Sequence, residues 1–499
     1  MDVILKKFDY KYMAYELNLM RREIESLFPG SILQDDGRQL VLQNISQNEL
    51  SSLDRLTYIS EYIVGDDSYF TKQYKLEQNA AKSPKRQNTR YASHGIHEYK
   101  GKFNPQIVHA LLNILGAKEG DTVLDPFCGS GTTLVESAIW GFSSYGFDIN
   151  PLAAQLATLK VKVLTLNCEK ARKHLGAAVE YLSAASHNYN AEIPQNARND
   201  YLLNWLPKEI FIILESLLSY VKTTDEITAL LFKIAASNLI REYSLQEPMD
   251  LRIRRRTSPM PETPFVDAWA EMVKRQLDNI HLSQKNIGCI NTNSTAMLSD
   301  IRTATADNQF FDIAITSPPY ATALPYIDTQ RISLVWLGLC PPNNIMRLES
   351  TLIGSREFYN VQKDALLDKM TCNADSLPAD VISLIHELHN GLSPQDGFRK
   401  KAVPLLLYRY FADMQKMFCN VCSMMKLNAK YALVVGNNKT TIGGKLNVID
   451  TPALLAQVAS DCGWRVLELL PLQTYQRYGL NAKNAITCET LIILEKSAE

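Results

Sequence analysis

The chain has 499 residues, 46% of them hydrophobic and 21% charged, with a formal net charge of −1. That length accommodates roughly two or three domains around a sizeable core, and near-neutrality excludes a uniformly basic nucleic-acid coat, so any polyanion must be met by local patches. No apolar run approaches the roughly 20 residues of a membrane span, the first residues lack a signal peptide's apolar core, and the nine cysteines are scattered; these features predict a cytoplasmic protein with reduced thiols and no membrane association.

Residues 1–90 read as an N-terminal accessory region and linker. Tyr10 to Phe28 has helical periodicity closed by Pro29-Gly30, and Leu40-Val41-Leu42 is a short strand. Residues 81–90 carry four cations and nothing apolar larger than Ala. That stretch is either a solvated linker or a flexible arm on DNA phosphates. From 91 to 499 strands and helices alternate, as in a parallel sheet covered on both faces. Thr122-Val123-Leu124-Asp125 is a buried strand that runs into Pro126-Phe127-Cys128-Gly129-Ser130-Gly131-Thr132-Thr133, and a helix with Leu134, Ala138 and Ile139 on one side follows. Glycines at 129 and 131 let the backbone approach a ligand. The next strand, Ser144 to Asp148, ends in an acid 17 residues past Gly131, a spacing suited to gripping ribose hydroxyls. The pattern is not G-x-G-x-x-G and no Lys follows the glycines, which points to a ligand carrying a ribose without a pyrophosphate.

Residues 165–285 read as a helical insertion with amphipathic stretches at Lys208–Val221 and Glu226–Tyr243. The densest positive run follows, with Arg252, Arg254, Arg255 and Arg256; it is either a solvated face or a phosphate-binding patch. Ile287–Asn291 and Phe311–Ile315 read as the third and fourth strands, the latter delivering Ser317-Pro318-Pro319-Tyr320 at its carboxyl end, where open α/β sheets bind ligands. Residues 340–404 are polar and irregular, a second insertion suited to target recognition. A helix at Leu405–Met425, a strand at Tyr431–Val435, a helix at Pro452–Cys462 and a hairpin of Trp464–Leu470 with Glu489–Leu494 complete the chain. Cys419 and Cys422 lie within a helix and read as core packing, and His386 with His389 lacks the i, i+4 spacing of a zinc helix, so no metal is expected.

Three stretches share one resemblance: Asp125–Thr133, Thr316–Tyr320, and His97-Glu98-Tyr99-Lys100-Gly101-Lys102-Phe103-Asn104-Pro105. Together they resemble the amino-group DNA methyltransferases of the Ser-Pro-Pro-Tyr type, over about residues 94–160 and 285–340 and more weakly over 405–495. The resemblance implies the class I S-adenosylmethionine-dependent methyltransferase fold, a Rossmann-like α/β domain over 91–499. Its seven-stranded sheet closes with an antiparallel hairpin and carries helical insertions. It implies a cofactor site of Lys102, Phe103, Asp125, Phe127, Gly129, Gly131, Thr132, Asp148, Ile149 and Asn293. Asp125 would lie near the methionine amino group, and Asn293 stands where the family often has an acid meeting the adenine amine. Ser317, Pro318, Pro319 and Tyr320 would be catalytic: Ser317 and the Pro318 carbonyl accept the hydrogens of the target amine, and Tyr320 offers a face to an extruded base.

The implied reaction is methylation of cytosine N4 in double-stranded DNA, in a restriction–modification or phage-defence setting. A cognate restriction endonuclease or other defence-system subunits would be the partners there. Adenine N6, RNA and protein glutamine are the alternative targets. A nucleic-acid-binding subunit with a degenerate methyltransferase core is the non-enzymatic alternative. Carbon-5 methylation of cytosine is set aside, because the chain contains no Pro-Cys dipeptide for that nucleophile.

Overall fold

The computed structural model describes residues 1–35, 37, 39–78, 86–186, 192–250, 252–288, 290, 293–307, 309–321, 326–358, 363–473 and 488–497. Residues 81–85 of the expected basic linker lie outside them.

Two sheets organise the chain. The first is antiparallel and N-terminal, built of β1 (Val3–Lys7), β2 (Ile32–Asp35), β3 (Leu40–Gln43), β4 (Ile59–Val64) and β5 (Asp67–Phe70) in the order β2-β3-β1-β4-β5. The helix Ala14–Leu27 buries Tyr15, Leu19, Met20 and Ile24. β2 and β5 are four-residue edge strands with mostly exposed residues, so no buried apolar pattern marks them.

The second sheet has seven strands. They are β6 (Thr122–Asp125), β7 (Ser143–Asp148), β8 (Ser294–Leu298), β9 (Phe311–Thr316), β10 (Met425–Gly436), β13 (Trp464–Gln473) and β14 (Cys488–Lys496). A separate two-stranded ribbon, β11 (Asn438–Ile442) with β12 (Lys445–Ile449), follows β10. The order is β13-β14-β10-β9-β6-β7-β8; β8 through β10 run parallel, and β14 and β13 close the edge antiparallel. This is the class I methyltransferase fold.

Alternation along these strands feeds two cores, because successive side chains leave opposite faces of a strand. Val123, Ile313, Ile315, Ala432, Val434, Leu491 and Ile493 share one cluster with Val108 and Leu111 of the helix Pro105–Ile114 and with Leu19, Leu42 and Leu53 of the N-terminal region. Leu124, Ala314, Tyr431, Leu433, Ile492 and Leu494 pack on the other side with Phe411, Phe418, Leu455 and Trp464. The N-terminal region thus has its own sheet but shares its core with the second sheet. Polar contacts reinforce the junction. Glu23, fully buried, accepts from the Thr57 amide at 3.0 Å and from Asn113 Nδ2 at 2.7 Å, and Arg22 pairs with Glu468 of β13 at 2.5 Å.

Three sequence expectations are corrected. The third strand is not at 287–291: the helix Phe265–Ile287 runs through Ile287 and stops at Gly288, whose φ of +73° lies where glycine is favoured. The strand comes later, at Ser294–Leu298, short and only partly buried at the sheet edge. Residues 340–404 are not irregular; they contain helices at Ile345–Thr351, Lys363–Thr371 and Ala379–Asn390. Cys419 is exposed rather than core, with its sulfur 2.6 Å from that of Cys462. No helix among the described residues is long and apolar enough to cross a membrane.

Gly131 opens the helix Thr132–Ile139 at φ +81°, and a Cβ there would sit 2.6 Å from the Ala157 Cα of the neighbouring helix Pro151–Lys162. Backbone strain and overpacking therefore act together, and Gly131→Ala should destabilise the protein by about 2–4 kcal/mol in denaturant unfolding. A change under about 0.5 kcal/mol would show that the two helices can move apart freely.

Candidate functional site

β6, β7, β8 and β9 end at the same edge of the sheet, and the loops that leave them enclose a cavity of about 840 Å³. The loop after β6 contributes Phe127 and Gly129. Gly129 has φ +49°, in the left-handed region that favours glycine, and a Cβ on it would make ordinary contact with the Tyr99 ring at 3.4 Å. β7 delivers Asp148 and Ile149. The Asp148 carboxylate accepts from the Gly129 amide at 3.0 Å and from the Asn150 amide at 2.8 Å. Burial pushes its carboxyl up to about 6, although both N–H donors pull the other way.

β9 delivers the second half of the site, with Ser317, Pro318, Pro319 and Tyr320 all lining the same cavity. The Ser317 hydroxyl donates to the Val434 carbonyl at 3.2 Å. Its proton is therefore committed, and its oxygen remains an acceptor. The Tyr320 hydroxyl donates to the Glu489 carboxylate of β14. Burial, and then that carboxylate, raise the Tyr320 phenol above its ordinary range, so it stays a neutral donor.

Asp125 joins the two halves from behind. Its Oδ1 accepts from the Phe127 amide at 3.1 Å and from the Thr316 hydroxyl at 2.6 Å, at 3% exposure. Burial raises its carboxyl to about 6.

Of the residues expected from sequence, the cavity gathers Lys102, Phe103, Phe127, Gly129, Asp148, Ile149 and Ser317 through Tyr320. Asp125, Gly131 and Thr132 are not on its wall. Asp125 is the clasp just described, Gly131 is a packing glycine against Ala157, and the Thr132 hydroxyl faces the Phe103 carbonyl at 3.5 Å. Lys102 lines the cavity, but its ammonium donates to the Thr89 and His94 carbonyls at 2.6 and 3.2 Å, which ties the segment before it to the wall. Burial lowers its pKa to about 7.

Asn293 does not reach the site. It precedes β8, and its carbonyl accepts from the Ser144 amide at 3.0 Å, at the amino end of the sheet. At the carboxyl end of β8 stand Ser299 and Asp300, and both line the cavity. Asp300 is thus an acid at the carboxyl end of the third strand, which the sequence reading had placed before Asn293. Arg302 pairs with Asp300, and also with Asp413 at 2.9 Å.

The arginine run divides. Arg255 donates to the Asn204 carbonyl and side-chain oxygen at 2.5 Å and covers the Trp205 ring at 4.5 Å, and Arg256 donates to the carbonyls of Ser244, Ser258 and Pro259 at 3.1, 2.9 and 2.6 Å. Both hold the protein's own loops. Arg254 pairs with Asp250, and Arg252 reaches Glu357 at 3.6 Å.

Sequence reading also missed Tyr99 and Tyr326, near-parallel rings with centroids 6.5 Å apart on the cavity wall, and Glu489. Tyr99 lies within the quoted upstream stretch and Tyr326 six residues past Tyr320, so proximity to the motifs was the available signal. Nothing local marks Glu489.

The wall fits an adenosine-bearing ligand chemically: a half-buried carboxylate at Asp148 beside the backbone of Gly129, an aliphatic Ile149, and flat aromatic faces. A family model described as DNA methylase matches residues 20–159. The Type II methyltransferase M.MvaI of Kocuria varians is 24% identical over 373 residues, 70% of this chain and 78% of that protein. The Type II methyltransferase M.BsoBI of Geobacillus stearothermophilus is 22% identical over 441 residues, 79% and 82% of the two chains. Among solved structures, a SAM-dependent methyltransferase of Methanosarcina mazei aligns at 10% identity with a TM-score of 0.26, covering 77% of this chain and 95% of that one. The motifs, their convergence on one cavity and the two Type II methyltransferases agree: the chain is similar to the amino-group DNA methyltransferases, whose cofactor is S-adenosylmethionine.

Proposed function

We propose that the protein methylates the exocyclic N4 of cytosine in double-stranded DNA, as the modification enzyme of a restriction–modification or related defence system. The observation that carries this reading is the placement of Ser317 and Pro318 across one cavity from Gly129 and Asp148. Bound S-adenosylmethionine supplies an electrophilic methyl group on its sulfonium.

Asp148 would accept both ribose hydroxyls, Ile149 and Phe127 would cover the adenine, and Asp300 would accept from the adenine amine in the place first assigned to Asn293. Exocyclic nitrogens are poor nucleophiles because their lone pair is delocalised into the ring. Ser317, already donating to Val434, accepts one amine hydrogen, and the Pro318 carbonyl accepts the other, drawing the nitrogen toward a tetrahedral form. The two prolines fix φ along the loop, so this acceptor pair is set before the base arrives. A base inside a duplex is out of reach and must be extruded, at a cost of a few kcal/mol, and stacking on Tyr320 offsets about 1–3 kcal/mol of that. The Glu489 carboxylate holds the Tyr320 ring by its hydroxyl. The serine at 317 supports cytosine over adenine. Analysis of methylated nucleosides decides the base: N4-methylcytosine supports the reading, and N6-methyladenine moves the same mechanism to the other target.

Ser317→Ala should lower turnover by roughly 10²–10³ on every DNA substrate, since one acceptor on the reacting amine is lost. Tyr320→Ala keeps both acceptors and loses the stacking face, so its defect should shrink on a mismatched target base that costs less to extrude. Methyl transfer from labelled cofactor to paired and mismatched duplexes separates the two. Equal rescue of both variants by the mismatch would refute this division of roles.

Asp148→Ala should weaken cofactor binding at least tenfold, because two hydroxyls lose a charged acceptor worth about 1.5–3 kcal/mol each. The acceptor must be ionised, and the free carboxyl titrates near 6. Wild-type affinity should therefore hold above that pH and fall, approaching about tenfold per unit, as pH drops below it. Calorimetry across pH 5–8 measures both effects, and Asp148→Asn should give a flat profile.

A further inference from the structure

The two insertions meet at a place that neither shows alone. Arg252, from the first, reaches Glu357 of the second at 3.6 Å. Arg409 pins that segment by donating to the Ser355 carbonyl and, at 3.0 Å, to the Glu357 carbonyl, while its guanidinium lies 4.9 Å from the Phe358 ring centre. Arg356, between those anchors, is depressed below its ordinary range by burial and then by the charges of Arg252 and Arg399. Arg399 comes from the short helix Phe398–Lys401, where Phe398 is 81% exposed with the Arg399 guanidinium 5.6 Å from its ring centre, and Lys400 and Lys401 are exposed beside it. Among the described residues, the acids facing the group are Glu357, Asp396, which lies 3.8 Å from Lys400, and Asp413, which acts on Arg409 and pairs with Arg302. Cations therefore outnumber acids here, in a protein whose net charge is only −1.

This concentration adjoins the site. Thr351, Leu352 and Ile353 line the cavity, and Arg302 holds the Thr351 carbonyl at 2.8 Å, so a few residues of chain lead from the cavity rim to Arg356. Clustered like charges repel one another and favour a polyanion that satisfies several at once. An aromatic ring left exposed among them suits a sugar or base surface better than water.

We propose that Arg252, Arg356 and Arg399, with Phe398, form the surface that seats the DNA backbone beside the cavity mouth. This assignment rests on DNA being the substrate, and it replaces the contiguous run 252–256 with a cluster drawn from both insertions.

The test is binding of the full-length protein to a labelled duplex across a salt series. The Arg252→Ala/Arg399→Ala variant should show a log–log salt slope shallower by about two, near 0.9 for each lost phosphate contact. Lys400→Ala/Lys401→Ala should flatten the slope in the same direction, and Phe398→Ala should weaken binding several-fold with the slope unchanged. Cofactor affinity should stay within about twofold of wild type in all three, which checks folding. A wild-type slope in both charge variants overturns the assignment, as does a slope change confined to double-stranded RNA. Binding needs no turnover, so the outcomes stay separable. A wild-type protein that methylates DNA while the variants keep its slope sinks only this surface. A wild-type protein that methylates no DNA sinks the reading beneath it.

Discussion

The site depends on one buried carboxylate. Asp125 ends β6 and Thr316 ends β9, neighbouring parallel strands, and the 2.6 Å hydrogen bond between them is closed by the Phe127 amide on the same oxygen. The loop carrying Gly129 and the loop carrying Ser317 leave the sheet within one residue of this clasp. Each loop is irregular backbone that cannot hold its place through ladder hydrogen bonds. A buried acceptor that is left unpaired costs about 1–3 kcal/mol, more if charged, so the two loops are held at a fixed separation by the same atom. Its raised pKa expresses the strain of keeping that charge dry. The clasp is positional, and the chemistry on the cavity wall inherits its geometry from it.

A second polar cluster stiffens the opposite wall. Glu136, fully buried in the helix after the glycine loop, accepts from the Tyr91 hydroxyl at 2.7 Å and the Trp140 indole at 3.1 Å, and shares a 2.7 Å hydrogen bond with His94. Burial raises the Glu136 carboxyl to about 8 and depresses His94 well below its ordinary value, so both favour their neutral forms. Lys102 then fastens the Thr89 and His94 carbonyls to the segment that carries Phe103 and Tyr99. The stretch His97–Pro105 thus becomes a rigid wall through a network assembled behind it.

Legibility in the sequence followed how local the physics is. The glycine loop, Asp148 and Ser-Pro-Pro-Tyr stood out because each needs particular residues within a few positions of one another. β6, β9 and β10 stood out because strands buried on both faces read as continuous apolar runs. β8 did not, since Ser294–Leu298 is a partly exposed edge strand, while Ile287 and Ile290 nearby imitate one. That register error placed the expected contact at Asn293, before β8, rather than at its carboxyl end where Ser299 and Asp300 line the cavity. Tyr320's partner Glu489 lies 169 residues away, and the arginine cluster spans 252 to 399; pairings of that range leave no trace in spacing. The run 252–256 is contiguous in sequence, but its members turn to different partners.

The topology explains why two insertions can serve one cavity. In a parallel sheet, every connection that leaves a strand's carboxyl end starts on the ligand edge. The helical insertion departs after β7, and the second departs after β9, on either side of β6 in the sheet. Each connection leaves from the carboxyl end of its strand and re-enters the sheet at the amino end of the next, without disturbing strand pairing. Arg198 of the first donates to the Trp336 and Val335 carbonyls at 2.7 and 3.3 Å, and Ile332 and Trp336, downstream of the Ser317–Tyr320 loop, are buried in the same cluster as the insertion's helices. The first insertion therefore braces the segment that follows Tyr320. Both long connections therefore lie outside the seven-stranded sheet, whose pairing runs unbroken from β13 to β8.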